Sequence, residues 1–406
     1  HPLPTGEGLK PRRITRGAII IMISVDSGSR ACGMNDCSQL FSASRKLHTH
    51  LEREFLRNGR LEGPDAGVRF NLRAWRFLKS CLSFIPYHDT CLFMQTQGYW
   101  ILSNWMLYEA SGEERYRALA LEATEVTLKL QKPEGYWPYP LPERRHLIAT
   151  VEGNWGALGL LASYARTGRR EFLQGAIRWY DFLAGHIGFQ PHRRGKAINY
   201  FDRPRGKVPN NSAEAAWFFL RLWKATGDEK YREHVPELVA FLADVQLPSG
   251  ELPYIVESPF EPVRDHYLCF QYNAFQFMKL VWAGELDSQA EIQKLLPALA
   301  NFLKRGVTPS GASAADCFHA RPEVDYYTAA LAAALYEASR SGISGARELS
   351  ERSFARVLAR QHKDGGFAYS EGDYGILADR RSYPRPQVMT LFHLLLPRAG
   401  NAFPDS

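Results

Sequence analysis

The chain has 406 residues, of which 45% are hydrophobic, with a formal net charge of +7 and a pI near 9.0. That content can bury a large core, and the basic excess leans toward an anionic partner. The charge forms no Lys/Arg tract, no nucleic-acid motif is present and no apolar run reaches membrane-spanning length, which argues against a nucleic-acid partner or a membrane span.

Residues 1–38 differ from the rest. They begin His-Pro-Leu-Pro-Thr-Gly and have no helical period; Arg12, Arg13 and Arg16 precede a brief apolar run, Ala18 to Ile23. The run vaguely resembles the core of a signal peptide but starts deep in the chain and is short. The expected organisation is a disordered or non-native extension over 1–38 and a single domain over 39–406. The six cysteines (Cys32, Cys37, Cys81, Cys91, Cys269 and Cys317) are scattered without CxxC spacing. They suggest neither a disulfide framework nor a zinc module, and a reducing, cytoplasmic setting is expected.

From Leu40 a helical pattern begins, with Leu47, Leu51, Phe55 and Leu56 on one face, then a loop at 59–67 and a helix around 71–84. Two kinds of helix then alternate. Segments near 92–110, 150–166, 211–226, 266–282, 324–340 and 385–396 are apolar nearly all round, as in Ala329-Ala-Leu-Ala-Ala-Ala-Leu-Tyr336. Segments near 114–131, 170–187, 229–246, 287–304 and 346–361 carry charge on one face, as in Asp228-Glu-Lys-Tyr-Arg232. The first set is predicted to form an inner layer and the second an outer one, with the helix at 41–58 as a sixth outer member. Gly112, Gly168, Gly227, Gly284 and Gly342 follow successive apolar runs at intervals of 56 to 59 residues and read as helix C-caps. The unit is therefore a helical hairpin of about 57 residues.

A longer pattern marks every second unit. Gln131-Lys-Pro-Glu-Gly135-Tyr-Trp-Pro-Tyr139, Gln246-Leu-Pro-Ser-Gly250-Glu-Leu-Pro-Tyr254 and Gln361-His-Lys-Asp-Gly365-Gly-Phe-Ala-Tyr369 share Gln, Gly and Tyr at positions one, five and nine, 115 residues apart. Six inner and six outer helices predict an all-α fold, an (α/α)6 toroid.

The alternation and the Gln-x-x-x-Gly-x-Trp/Phe elements resemble the α/α-toroid superfamily over residues 40–397. That group includes six-hairpin glycosidases, polysaccharide lyases and uronyl epimerases, and also terpenoid cyclase and protein prenyltransferase rings. The Gln element is known from squalene-type cyclases, where it ties helices together; the resemblance implies a structural role here too. It also implies a site in the funnel at one end of the ring, where long loops (132–149, 189–210, 247–264, 306–323, 362–384) enter the inner helices.

Polar residues recur at those entrances, and their burial without purpose would be costly. Glu152, Glu214 and Asp325 are the candidate carboxylates, since glycoside hydrolysis needs two flanking one bond. His266 with Tyr267, Tyr326 or Tyr383 could instead remove the proton beside a uronate carboxyl, with Asn211 or Arg385 stabilising the developing charge. His88, Asp265, Gln271 and Tyr327 complete the expected binding ring. Trp137, Tyr139, Trp155, Tyr254 and Tyr369 could stack on a sugar or pack between repeats, and Arg380 with Arg381 could grip a carboxylate or merely carry surface charge. Asn211, Asp265 and Asp325 can equally be read as helix caps.

No cofactor or metal is expected. Asp316-Cys317-Phe-His319 has the residue types of a zinc set, but its crowded spacing departs from the prenyltransferase pattern, and no Asp-rich cyclase motif or phosphate-binding Gly loop occurs. The leading expectation is a carbohydrate-active enzyme that cleaves or epimerises an anionic, uronate-containing sugar or oligosaccharide. The alternatives are an isoprenoid-type toroid and a non-catalytic helical-repeat scaffold.

Overall fold

The computed structural model of the chain describes residues 34–66, 82, 89–256, 259, 261–370 and 378–399. Among the described residues, twelve α-helices make two concentric layers. The outer helices are α1 (Met34–Phe55), α3 (Glu114–Leu130), α5 (Arg170–Phe182), α7 (Val235–Val245), α9 (Ala290–Lys304) and α11 (Ala346–Ala359). The inner ones are α2 (Met94–Ser111), α4 (Thr150–Thr167), α6 (Pro209–Thr226), α8 (Cys269–Leu286), α10 (Asp325–Arg340) and α12 (Pro384–Ala399). Each inner helix packs on the next inner one, and α12 returns to α2, closing the ring; α1 covers α12 from outside. Helix α1 begins at Met34, inside the segment expected as an extension, and the predicted helix near 71–84 and Cys81 lie outside the described residues.

Composition explains the layers. Almost every side chain of α10 from Tyr327 to Leu335 is buried, so this helix needs apolar neighbours on all sides. Helix α5 buries only Phe172, Gly175, Ala176, Trp179 and Tyr180, one stripe at helical spacing, and leaves its charges to solvent. The short connections use glycine as expected at three positions. Gly112, Gly168 and Gly227 have φ near 70° and return their N–H to Tyr108, Tyr164 and Trp223 carbonyls at 2.7–2.8 Å. Gly284 does not end its helix. Helix α8 continues to Leu286, and a side chain at 284 would meet Gln293 and Ile292 of α9, so this glycine serves close packing instead.

Two outer segments are more irregular than their periodicity predicts: α5 passes into a π-turn over Leu183–Ile187, and a 3-10 turn at Glu229–Tyr231 precedes α7. Two small antiparallel hairpins also occur, Leu56–Arg57 (β1) with Arg60–Leu61 (β2), and Phe189–His192 (β3) with Gly195–Ile198 (β4). Among the described residues, no helix is long and apolar enough to cross a membrane.

The three Gln elements form one joint repeated around the ring. Gln131 Nε2 donates to Gly135 O (2.8 Å) in its own turn and to Gly175 O (2.9 Å) in the neighbouring outer helix α5. Gln246 Nε2 does the same to Gly250 O (3.1 Å) and Leu295 O (3.2 Å) of α9, and Gln361 Nε2 to Gly365 O (2.9 Å) and Ala43 O (2.9 Å) of α1. The glycine at position five has φ between 90° and 106°, and a Cβ there would lie within 2.3 Å of a carbonyl of that same neighbour. A left-handed turn and a bare backbone are thus both required. Position nine then turns inward, into the cavity described next.

Candidate active site

The long loops and the first turns of all six inner helices enclose a cavity of about 880 Å³. Among the described residues, nine tyrosines line it: Tyr99, Tyr139, Tyr200, Tyr254, Tyr267, Tyr272, Tyr326, Tyr327 and Tyr369. Tyr139, Tyr254 and Tyr369 are the ninth residues of the three Gln elements. Among the described residues, the charged lining groups are Arg144, Lys279, Arg321, Arg385 and Asp65.

Arg385, on the first turn of α12, grips Asp65 through both ends of its guanidinium at 2.7 and 2.8 Å. Burial works against its charge, but Asp65 outweighs that and holds its pKa above the usual range. Lys279 at the cavity floor is paired with buried Glu214, which also accepts from Trp155 Nε1 (2.9 Å) and Asn154 Nδ2 (3.3 Å). Arg144 and Arg321 have no ion-pair partner among the described residues.

Glu152 lies just behind the lining. It is buried, accepts the Gln95 backbone N–H at 3.1 Å, and its pKa is pushed up to about 7, chiefly by burial, with Arg385 opposing. Burial, then the neighbouring Glu152 charge, raises Tyr139 to about 12; Tyr326 also rises to about 12, through burial opposed by Arg385. Gln271 Nε2 donates to the Tyr326 hydroxyl at 3.2 Å. Below the floor, His393 stacks on Phe275 with both ring nitrogens unpartnered among the described residues; burial, then Lys279, lowers its pKa to about 3.

Of the residues singled out from sequence, Asn211, Tyr267, Gln271, Tyr326, Tyr327 and Arg385 meet in this cavity, and Glu152 and Glu214 stand directly behind it. Others are turned away. Asp325 faces outward, bonded to Arg360 at the end of α11 (2.6 Å). Trp137 is buried under Gly156 and donates to Thr127 O (2.9 Å), and Trp155 is buried against Tyr99. Tyr383 is buried with its hydroxyl on Asp379 Oδ2 (2.8 Å); Arg380 is exposed, and Arg381 donates to Leu82 O (2.6 Å). His266 points to Glu251 at 2.8 Å, and Asp265, half-buried beside it, does not line the cavity. His88 lies outside the described residues. Sequence reasoning missed Asp65, Lys279, Arg144, Arg321, Tyr200 and Tyr272; the position-nine tyrosines were the available signal that tyrosine dominates this wall.

At the rim, outside the cavity, Glu251, His266 and Cys317 bring one ligand-type atom each to within 4.8 Å of one another. Cys317 Sγ is also 3.3 Å from Cys269 Sγ. The zinc-like residue types at 316–319 do not act as one set. Asp316 and His319 bond each other at 2.9 Å, while Cys317 faces the other way.

Comparison with family models and with curated proteins finds no match. Solved structures do match. A cellobiose 2-epimerase from Bacillus thermoamylovorans superposes with TM-score 0.65 at 14% identity, over 87% of this chain and 99% of the other. A polysaccharide lyase matches with TM-score 0.63 at 11% identity, covering 89% and 97%. A family 76 glycoside hydrolase from Bacteroides thetaiotaomicron matches with TM-score 0.64 at 14% identity, covering 88% and 77%. The fold is the (α/α)6 toroid. At these identities the likeness establishes architecture, and the reaction has to be argued from the toroid's own cavity.

Proposed function

We propose that this toroid is a carbohydrate-active enzyme that binds an anionic, uronate-containing sugar in its funnel and cleaves or epimerises it. The observation that carries the reading is the cavity wall itself, which tyrosines share with Arg144 and Arg321, two cations without counter-charges among the described residues. Tyrosine stacks on the apolar face of a sugar and bonds its hydroxyls, and the arginines match a carboxylate. That the solved neighbours above include an epimerase, a lyase and a hydrolase of sugars supports the same class.

The charges favour proton transfer beside a carboxyl over two-carboxylate hydrolysis. Hydrolysis asks for two carboxyl groups flanking one bond. Here Asp65 is committed to Arg385 and Glu214 to Lys279. Glu152, poised near neutral pH behind Gln95 and electrostatically coupled to Tyr139, is the acid/base candidate. Arg144 and Arg321 neutralise the sugar carboxylate, and Arg385, held by Asp65, lends its N–H groups to the negative charge that builds up when the α-proton leaves.

The test is a panel of uronate-containing oligosaccharides followed for unsaturated uronate absorbance, new reducing ends and solvent deuterium incorporation. Unsaturated product identifies a lyase, deuterium without cleavage an epimerase, and reducing ends alone a hydrolase. If no glycan binds or reacts and an isoprenoid diphosphate raises the melting temperature, the aromatic wall serves the alternative, isoprenoid chemistry.

A further inference from the structure

Four side chains at the cavity rim converge from three separate loops. Glu251 follows the glycine of the second Gln element, His266 and Cys269 lead into α8, and Cys317 sits on the loop before α10. The Glu251 side chain is wholly buried, with Oε2 2.8 Å from His266 Nδ1 and 3.7 Å from Cys317 Sγ, and with Oε1 lacking any partner among the described residues. Cys269 is buried, and both cysteines are free thiols, 3.3 Å apart.

We propose that Glu251, His266, Cys269 and Cys317 form a structural zinc site that pins the rim loops of the toroid. In tetrahedral zinc sites, bonds of about 2.3 Å to sulfur and about 2.0–2.2 Å to nitrogen and oxygen place neighbouring ligand atoms roughly 3.3–3.8 Å apart. Glu251, His266 and Cys317 already bring one ligand atom each within 4.8 Å of one another, and Cys269, whose Sγ is 3.3 Å from Cys317 Sγ, would join them by turning its side chain inward. Two thiolates, an imidazole and a carboxylate suit zinc far better than the hard cations magnesium or calcium. Four protein ligands leave no open position, which makes the site structural.

Two further features fit. A buried carboxyl with an unpartnered oxygen is costly, and a cation would satisfy it. Between His266 and Cys269 stands Leu268, a non-glycine residue at φ 45°. Such a conformation persists when its surroundings over-determine it, and ligands on either side would do so. Tyr267 and Leu268 both line the cavity, so the ion would fix part of the wall without taking part in chemistry.

The experiment uses the untagged, reduced chain, purified without chelator. Elemental analysis should find one zinc per chain. Replacement by cobalt(II) should give tetrahedral visible bands and a near-ultraviolet thiolate-to-cobalt band. Cys269→Ser and Cys317→Ser should each weaken that band by about half, and Glu251→Gln should keep it with altered visible bands. Removing zinc should speed amide hydrogen exchange over 262–269 while the inner helices stay protected. Cobalt titration of the wild type decides the matter even where a variant fails to fold. Absence of both stoichiometric zinc and a thiolate band in the reduced wild type overturns the proposal. So does a band that survives in the Cys269→Ser/Cys317→Ser double variant, or isolation of a Cys269–Cys317 disulfide in a chain that, once reduced, still takes up no zinc.

Discussion

Glu152 is the residue at which function and stability pull against each other. Its folded pKa of about 7, raised from 4.5 mainly by burial, means that the folded chain holds a proton that the unfolded chain has released. Stability from this group is therefore full at low pH, falls as pH rises from about 4.5 to about 7, and is flat above. The shift amounts to roughly 3 kcal/mol. Glu337, raised to about 7 chiefly by burial, acts with the same sign, so only comparison with a variant isolates Glu152. Glu152→Gln can still accept the Gln95 N–H, and its melting temperature relative to wild type should rise between pH 5 and pH 8. A constant difference across that range would show that Glu152 does not titrate there. Turnover on the substrate class proposed above should fall about 10²–10⁴-fold in the same variant if this carboxyl is the acid/base. Arg385 gives the complementary experiment. Arg385→Ala should take the guanidinium from buried Asp65 and cost about 3–5 kcal/mol, whereas Arg385→Ala with Asp65→Asn should recover much of the loss. Denaturant melts of the two variants and wild type measure this, and equal losses would mean that the pair is not coupled.

At the scale of an element, the Gln joints invite an ordered prediction. Gln246→Ala removes two bonds between polar groups near the surface and should cost roughly 1–2 kcal/mol. Gly250→Ala should cost more, because its φ of 90° disfavours a side chain and a Cβ would fall 2.1 Å from Ala298 O. Thermal melts of the two variants test the order, and a milder effect at Gly250 would contradict the steric account. The helices were legible in sequence because hydrophobic period, chain-reversing glycines and the Gln pattern are local signals that agree with one another. Even so, the reading misjudged Gly284, since whether a glycine caps a helix or makes room for a neighbour depends on what lies across from it.

Over the whole molecule, the face that carries the cavity could be read from loop length, but the partnerships within it could not. Asp65 and Arg385 are 320 residues apart, Glu214 and Lys279 65, and Glu251 and Cys317 66. No periodicity links such positions; the packing of neighbouring hairpins brings the last two pairs together, and ring closure the first. Asp325 shows the converse. From sequence, a carboxylate at an inner-helix entrance looks like an active-site group, yet Arg360 of the outer layer draws it outward. The start of α1 at Met34 also refines the boundary proposed for the domain: a chain beginning at residue 34 should melt like the full chain, whereas one beginning at 39 loses the first turn of α1 and should melt lower. Identical melting of the two would leave that turn without a stabilising role.

The third Gln joint has a topological consequence. Gln361 holds Ala43 O with the same geometry that Gln131 uses on Gly175 and Gln246 on Leu295, although here the joined helices stand at opposite ends of the chain. The seam is made like any other joint, and α1 already packs on α12 there, with Cys37 Sγ 3.9 Å from Pro397 O. Among the described residues, this joint is therefore equivalent to the other two. A circular permutant with residue 399 linked flexibly to residue 34, and opened instead at the exposed turn after Gly227, should fold to the same ring. Its circular dichroism should match the parent's and its melting temperature should stay within a few degrees. Failure to fold would show that assembly depends on the native order of the hairpins.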